Sequence, residues 1–183
     1  QGVMGREYAL IHGESAAIAN AIGEHYMPRF ADDDIPASLI GSILSISDKI
    51  DTITGCFSIG IQPTGSQDPY ALRRQAIGII SIVLEKGLHL NLKDLLNKAL
   101  EPYDRKDILK DESSKIIREI IEFFKGRLKN TLLDKGYDYD VVDAVLKAEL
   151  DDLYDAYLRI KEISKWKKRE EFSNIISSFN RVS

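Results

Sequence analysis

The sequence predicts an all-α fold, and three observations carry that expectation. Apolar residues recur at helical spacing over most of the chain. No run alternates persistently enough to read as sheet. One stretch, Asp68 to Gly87, is punctuated as a helix at both ends and is apolar nearly all round between them. Asp68 is suited to an N-cap with Pro69 at the first helical position, and Gly87 to a left-handed closing residue with Lys86 beside the dipole. Leu72, Ala76, Ile77, Ile79, Ile80, Ile82, Val83 and Leu84 cover most of its circumference, so this helix is expected at the centre of the core, with Arg73 and Arg74 at one edge.

In chain order, two glycines open the sequence and a helix is expected over Arg6–Ile11. After His12-Gly13-Glu14 a second helix runs from Ser15 to Tyr26 and stops before Pro28, since the residue preceding a proline is pushed out of the α region. Phe30 to Pro36, with three consecutive aspartates, reads as a loop. A third helix begins near Pro36 or Ala37 and ends at Gly55. Its expected buried stripe is Leu39, Ile40, Ile43, Leu44, Ser47, Ile50 and Ile53 or Thr54, with Asp48, Asp51 and Thr52 on another face. Gly55 to Gln67 is a long loop, the kind that is usually functional or disordered.

Beyond the central helix, Leu88 to Leu92 alternates but reads as a connector into a helix over Leu92–Leu100. Pro102 to Lys110 is a turn region. Asp111–Lys135 is a long amphipathic helix with Ile116, Ile117, Ile120, Phe123, Phe124, Leu128 and Leu132 as its stripe, closed by Gly136. Further helices are expected from Asp138 or Asp140 through Leu150, over Leu153–Trp166 and over Glu171–Phe179.

A hydrophobic content of 44% with 30% charged residues is ordinary for a globular chain with an ample core. The lone Cys56 rules out an internal disulfide and a cysteine metal cluster, and fits a cytoplasmic location. No segment has the length of a transmembrane helix, and no signal peptide precedes the first helix. The opening Gln1-Gly2-Val3-Met4-Gly5 reads as the middle of a longer chain. A net charge of −4 argues against non-specific nucleic-acid binding, including DNA, through bulk charge. Residues 1–60 hold three basic side chains (Arg6, Arg29, Lys49) against eight acids, and the rest is nearly balanced.

Nucleotide-binding glycine loops, zinc cysteines and nucleophile elbows are missing from the sequence, so no catalytic residue is assigned. His12 and His89 stand in polar or loop surroundings. Arg73 and Arg74 point about 100° apart on a helix, so both cannot face one acid. One is expected to pair with Asp48 or Asp51, leaving the other to meet a phosphate through its fork. Lys161 to Arg169 embeds Trp166 among lysines and is suited either to RNA contact or to a solvated helix end.

His25, then Asp34-Ile35-Pro36, then Ser47-Asp48-Lys49-Ile50-Asp51 resembles the later part of an HD-superfamily domain, whose metal-dependent members cleave phosphoesters. By that resemblance His25 and Asp48 stand at degenerate metal positions. The opening His-Asp pair is lacking, and two ligands do not make a hydrolytic centre. No metal is therefore expected, and Asp48 has an alternative reading as a structural acid.

Four longer stretches resemble the β subunit of bacterial glycyl-tRNA synthetase of the α2β2 type. They are Gln1-Gly2-Val3-Met4-Gly5-Arg6-Glu7-Tyr8-Ala9, His25-Tyr26-Met27-Pro28-Arg29-Phe30, Ser47-Asp48-Lys49-Ile50-Asp51-Thr52 and Asp68-Pro69-Tyr70-Ala71-Leu72-Arg73-Arg74-Gln75-Ala76. The final Asn180-Arg181-Val182-Ser183 resembles the segment before that subunit's anticodon-binding region. The resemblance implies an HD-like helical domain over residues 1–100, incomplete at its N-terminus, and a helical extension over 101–183. It implies a piece of a longer β subunit that helps to recognise tRNA(Gly), with the rest of that subunit and the α subunit as partners and no membrane. ATP and Mg would be used by the whole enzyme through the α subunit, and this piece alone would be inactive. Arg73, Arg74, Lys49 and Arg29 are the expected RNA-contacting residues. The alternatives are a metal-dependent HD phosphohydrolase and a purely structural helical adaptor.

Overall fold

A computed structural model describes residues 2–30, 33–169 and 172. Among these residues the secondary structure is eight helices with two isolated bridges, Thr64 with Gln67 and Asn91 with Asp152, and no strand. The helices are α1 (Gly2–Ile11), α2 (Ala16–Glu24), α3 (Leu39–Ser58), α4 (Leu72–Lys86), α5 (Leu92–Asp104), α6 (Ser113–Asp134), α7 (Tyr139–Leu146) and α8 (Leu153–Lys167). Apart from Phe172, the helix expected over Glu171–Phe179 and the final Asn180–Ser183 lie outside the described residues. No described helix is long and apolar enough to cross a membrane.

The opening glycines lie inside α1 and let it approach α2. A Cβ on Gly5 would stand 2.8 Å from Ile22 Cγ2, and one on Gly2 would stand 2.9 Å from the Gly23 carbonyl. Their role is close packing, so the helix starts four residues earlier than the sequence suggests. Ser15 caps α2 by accepting from Ile18 N, and α2 then rests on α3.

The buried stripe of α3 follows the expected one at Ile50, Ile53 and Thr54 but not in the first half of the helix. Leu39 and Ile40 are each 58% exposed and Ile43 is 55% exposed, whereas Gly41, Ser42, Ser45, Ile46, Lys49, Ile50, Ile53, Thr54, Phe57 and Ser58 are buried. Small and hydroxyl residues face inward because α2 and the chain after it come too close for leucine. A Cβ on Gly41 would collide with the Glu24 carboxylate, which accepts hydrogen bonds from Ser38, the N-cap of α3. Buried hydroxyls satisfy themselves on the preceding turn, as Thr54 does with Ile50 O and Ser58 with Thr54 O.

Central helix α4 begins at Leu72, three residues after the expected start, because Ala71 takes a left-handed conformation with φ of 53°. Asp68 still serves the helix. Its two carboxylate oxygens accept from Leu72 N at 2.7 Å and Arg73 N at 3.0 Å across the turn. Gly87 closes the other end at φ of 65°, as expected, while Lys86 Nζ reaches the Ala37 carbonyl. Leu72, Ile79, Ile80, Ile82 and Val83 are all at most 1% exposed, which puts α4 at the middle of the core.

That core is one continuous apolar cluster from Ile46 in α3 to Ile160 in α8. Helix α6 lays Ile116, Ile117, Ile120, Phe124, Leu128 and Leu132 against it, the stripe read from sequence. The expected turn at Pro102 is instead the last turn of α5, where the missing N–H deprives only the exposed Lys98 of its helical bond. The alternating run Leu88–Leu92 is a connector, tied to the α7–α8 loop by Leu92 N donating to Asp151 O at 2.7 Å.

Candidate functional site

Residues 25–30 leave α2 and cross the N-terminal end of α4, and a buried lysine holds this bend in place. Lys49 Nζ donates to His25 O at 3.2 Å, Met27 O at 3.1 Å and Ser45 Oγ at 2.7 Å. Ser45 Oγ in turn donates to Met27 O at 2.6 Å. Gly78 on α4 makes room, since a Cβ there would stand 3.2 Å from Lys49 Cε and 3.3 Å from Pro28 Cγ. Burial pushes the Lys49 pKa down, and the neighbouring Asp48 charge pushes back. At 5% exposure, with its donors spent on three oxygens, Lys49 does not offer the solvent-facing charge expected of a phosphate ligand.

Arg29, Arg73 and Arg74 do come together, around the start of α4. Arg73 and Arg74 border a cleft of about 730 Å³ with Pro28 and Asp33, the outer face of α4 and the C-terminal part of α6, while Arg29 faces the hollow next to it. Phe30, Ile77 and Thr131 also line the cleft. Arg74 is shared with a neighbouring hollow of about 330 Å³ that holds Asp48, Thr52 and Gln75.

The three guanidiniums differ in how far each is committed. Asp33 takes up Arg29, whose Nε and backbone N donate to Oδ2 at 2.8 and 2.7 Å while Nη2 donates to Oδ1 at 3.0 Å. These bonds hold the Asp33 carboxyl down at about 2. Arg74 is exposed and gives one hydrogen bond, from Nη1 to Arg29 O at 3.3 Å. The Arg73 side chain makes no hydrogen bond or ion pair among the described residues. Neither Arg73 nor Arg74 forms an ion pair with Asp48 or Asp51, contrary to expectation. Asp51 instead accepts from Tyr103 Oη at 3.0 Å, and Tyr103 is pushed up in pKa by burial and by that bond. The helix N-terminus itself is closed to anions, because Asp68 occupies the Leu72 and Arg73 amides.

His25 and Asp48 are held by different contacts. His25 Nδ1 lies 2.6 Å from Ile22 O, and because a carbonyl only accepts, Nδ1 carries the proton. Asp48 opens into the smaller hollow with Lys49 beside it. Among the described residues no group of three or more His, Cys, Asp or Glu side chains is placed to hold a metal ion. His89 pairs with Asp152, the N-cap of α8, at 3.0 Å. In the basic segment, Lys167 bridges to Asp138 and Asp140, Lys165 pairs with Glu162, and Trp166 stacks edge-on against Phe172 at 4.8 Å. That segment is tied largely into its own structure.

Sequence reasoning missed Arg127. It projects from α6, its guanidinium 5.3 Å from the centre of the Phe123 ring, and its Nε is buried with no acceptor. The one signal was an arginine four residues after Phe123 and three after Phe124, set at the margin of an apolar stripe.

The molecule is thus an all-helical body carrying an arginine-bordered cleft over its central helix. It belongs to the glycyl-tRNA synthetase beta subunit family, whose model matches residues 1–147. Over its 183 residues the chain is 51% identical to the glycine–tRNA ligase beta subunit of Desulforamulus reducens and 48% identical to that of Clostridioides difficile. Over 182 residues it is 49% identical to that of Geobacter sulfurreducens. In each comparison all of this chain is covered but only 26% of the relative, so it spans about a quarter of the length of the curated relatives it matches.

Proposed function

We propose that the chain acts as part of a glycine–tRNA ligase β subunit in an α2β2 enzyme, and that its share is to hold tRNA(Gly). In this reading the α subunit joins glycine to the tRNA with ATP and Mg in the cytoplasm, and the present residues supply binding, not chemistry. One observation carries the assignment of the site. Arg73 and Arg74 border one cleft with most of their donors uncommitted, and a guanidinium fork suits the non-bridging oxygens of a backbone phosphate. Arg29 adds a charge that Asp33 already balances, and Lys49 contributes by fixing the bend that carries Arg29.

The test uses the intact synthetase. Arg74→Ala should weaken tRNA binding, and the slope of log affinity against log salt should fall by about one for each phosphate no longer neutralised. Thermal melting should be unchanged, because Arg74 holds only one carbonyl at 3.3 Å. Wild-type tRNA affinity and salt slope in both Arg73→Ala and Arg74→Ala would remove the RNA reading of the cleft.

A specific observation favours a second role, as a packing element within the subunit. Leu39, Ile40 and Ile43 expose one aliphatic stripe on α3 that the described helices leave uncovered. The two roles use different faces and are compatible.

A further inference from the structure

We propose that Arg73 and Arg127 together form the receiving site for a single RNA backbone phosphate, at the α6 side of the cleft. The inference rests on the tRNA-holding reading and adds to it a position and a residue. Three observations point to it.

First, Arg127 lacks a partner. Its Nε is buried without an acceptor, and no ion pair neutralises its guanidinium among the described residues. The Nη groups beyond it also have no hydrogen-bond partner among the described residues and are not buried, so they are the donors open to an incoming acceptor. Stacking against Phe123 restricts the side chain before any ligand arrives.

Second, α6 carries Arg127 towards the open ground beside Arg73. Asn130, Thr131 and Asp134, which follow Arg127 by three, four and seven residues on the same helix face, line the cleft that Arg73 and Arg74 border. Helices α4 and α6 pack directly on each other. Arg127 lies within the field of Arg73, which, after burial, is the next influence holding its pKa down.

Third, the chain does not itself resolve this meeting of like charges. Asp68 is the carboxylate felt by Arg127, and both of its oxygens already serve the amides that start α4. Of the other charged groups on the cleft, Asp33 belongs to Arg29, while Glu85, Asp134 and Lys135 complete the lining. A phosphodiester brings one negative charge and two free oxygens, so it can bridge two forks from two helices. Lysine at either position would supply the charge without the paired geometry.

The experiment uses full-length enzyme with tRNA(Gly). In the wild type, the Arg127 Nε–H resonance of 15N-arginine-labelled protein should shift on adding tRNA. Arg127→Gln should lower tRNA affinity by roughly tenfold and the salt slope by about one, with Arg127→Lys between it and the wild type. Arg73→Gln combined with Arg127→Gln should lower the slope by about one in total, because one phosphate is shared. Two outcomes overturn the proposal: an unmoved Arg127 resonance at saturating tRNA, or wild-type affinity and slope in a folded Arg127→Gln enzyme. Inorganic phosphate serves as the second probe. If it shifts the resonance and tRNA does not, the site takes a free oxyanion and the assignment to RNA fails. Weakened binding in Arg74→Ala with none in Arg127→Gln would leave the cleft reading standing and this site refuted.

Discussion

Lys49 and Asp33 show how single charges shape the site from opposite sides of the same bend. Lys49 invites a reading as a surface charge because Asp48 and Asp51 beside it are exposed, but one residue on a helix is a 100° turn and carries it inside. Sequence alone did not reveal that the backbone of His25 and Met27 would come back over α3 to meet it. Lys49→Met keeps the stem and removes the donors, so it should destabilise the chain by about 1–3 kcal/mol through unmatched buried oxygens. Denaturant melting unchanged by that substitution would show the lysine to be dispensable to the bend. Asp33 gives the pH test. Its folded pKa, about 2, lies below the ordinary carboxylate value of 3.8. Its contribution to stability is therefore complete above the ordinary value and is lost as pH falls through about 2. Carboxyl NMR should find that low midpoint and should find it restored towards the ordinary value in Arg29→Gln; an ordinary midpoint in the wild type would mean the pair is not formed.

Among the elements, α4 and α6 were legible and the first half of α3 was not. In α4 and α6 the aliphatic stripe and the buried stripe coincide apart from the exposed Ile77. In α3 the aliphatic residues at 39, 40 and 43 lie outward, because inward Gly41 meets Glu24 with no room for a Cβ and inward Ser45 bonds Met27 O in the bend. A periodicity argument finds a stripe but cannot rank two stripes when the closeness of the partner decides. The opening glycines of α1 hid their meaning for the same reason. The contrast is measurable in paired variants. Ile53→Ala, at a fully buried position, should cost about 2–5 kcal/mol, and Ile43→Ala, at 55% exposure, should stay within about 0.5 kcal/mol. Equal costs at the two positions in this chain would contradict the orientation of α3.

At the scale of the whole molecule, one core from α3 to α8 supports a cleft assembled from three separate parts of the chain: the bend after α2, the start of α4 and the C-terminal part of α6. The first two stood out in the sequence as candidates, because Arg29, Arg73 and Arg74 fall in short distinctive runs. The third was marked only by the spacing of Arg127 from Phe123 and Phe124, since it sits in an ordinary amphipathic helix and the packing of α6 on α4 brings it near. Membership of the glycyl-tRNA synthetase beta subunit family rests on the sequence match over residues 1–147, and the assignment of tRNA to the cleft is our proposal from its arginines. The most direct measurement is hydrogen exchange of the full-length enzyme with and without saturating tRNA(Gly). Slowed exchange in residues 25–30 and 68–75, with the exposed start of α3 unaffected, is the expected result. Unchanged exchange in both segments, with protection confined to other parts of the subunit, would contradict a tRNA-holding role for this cleft.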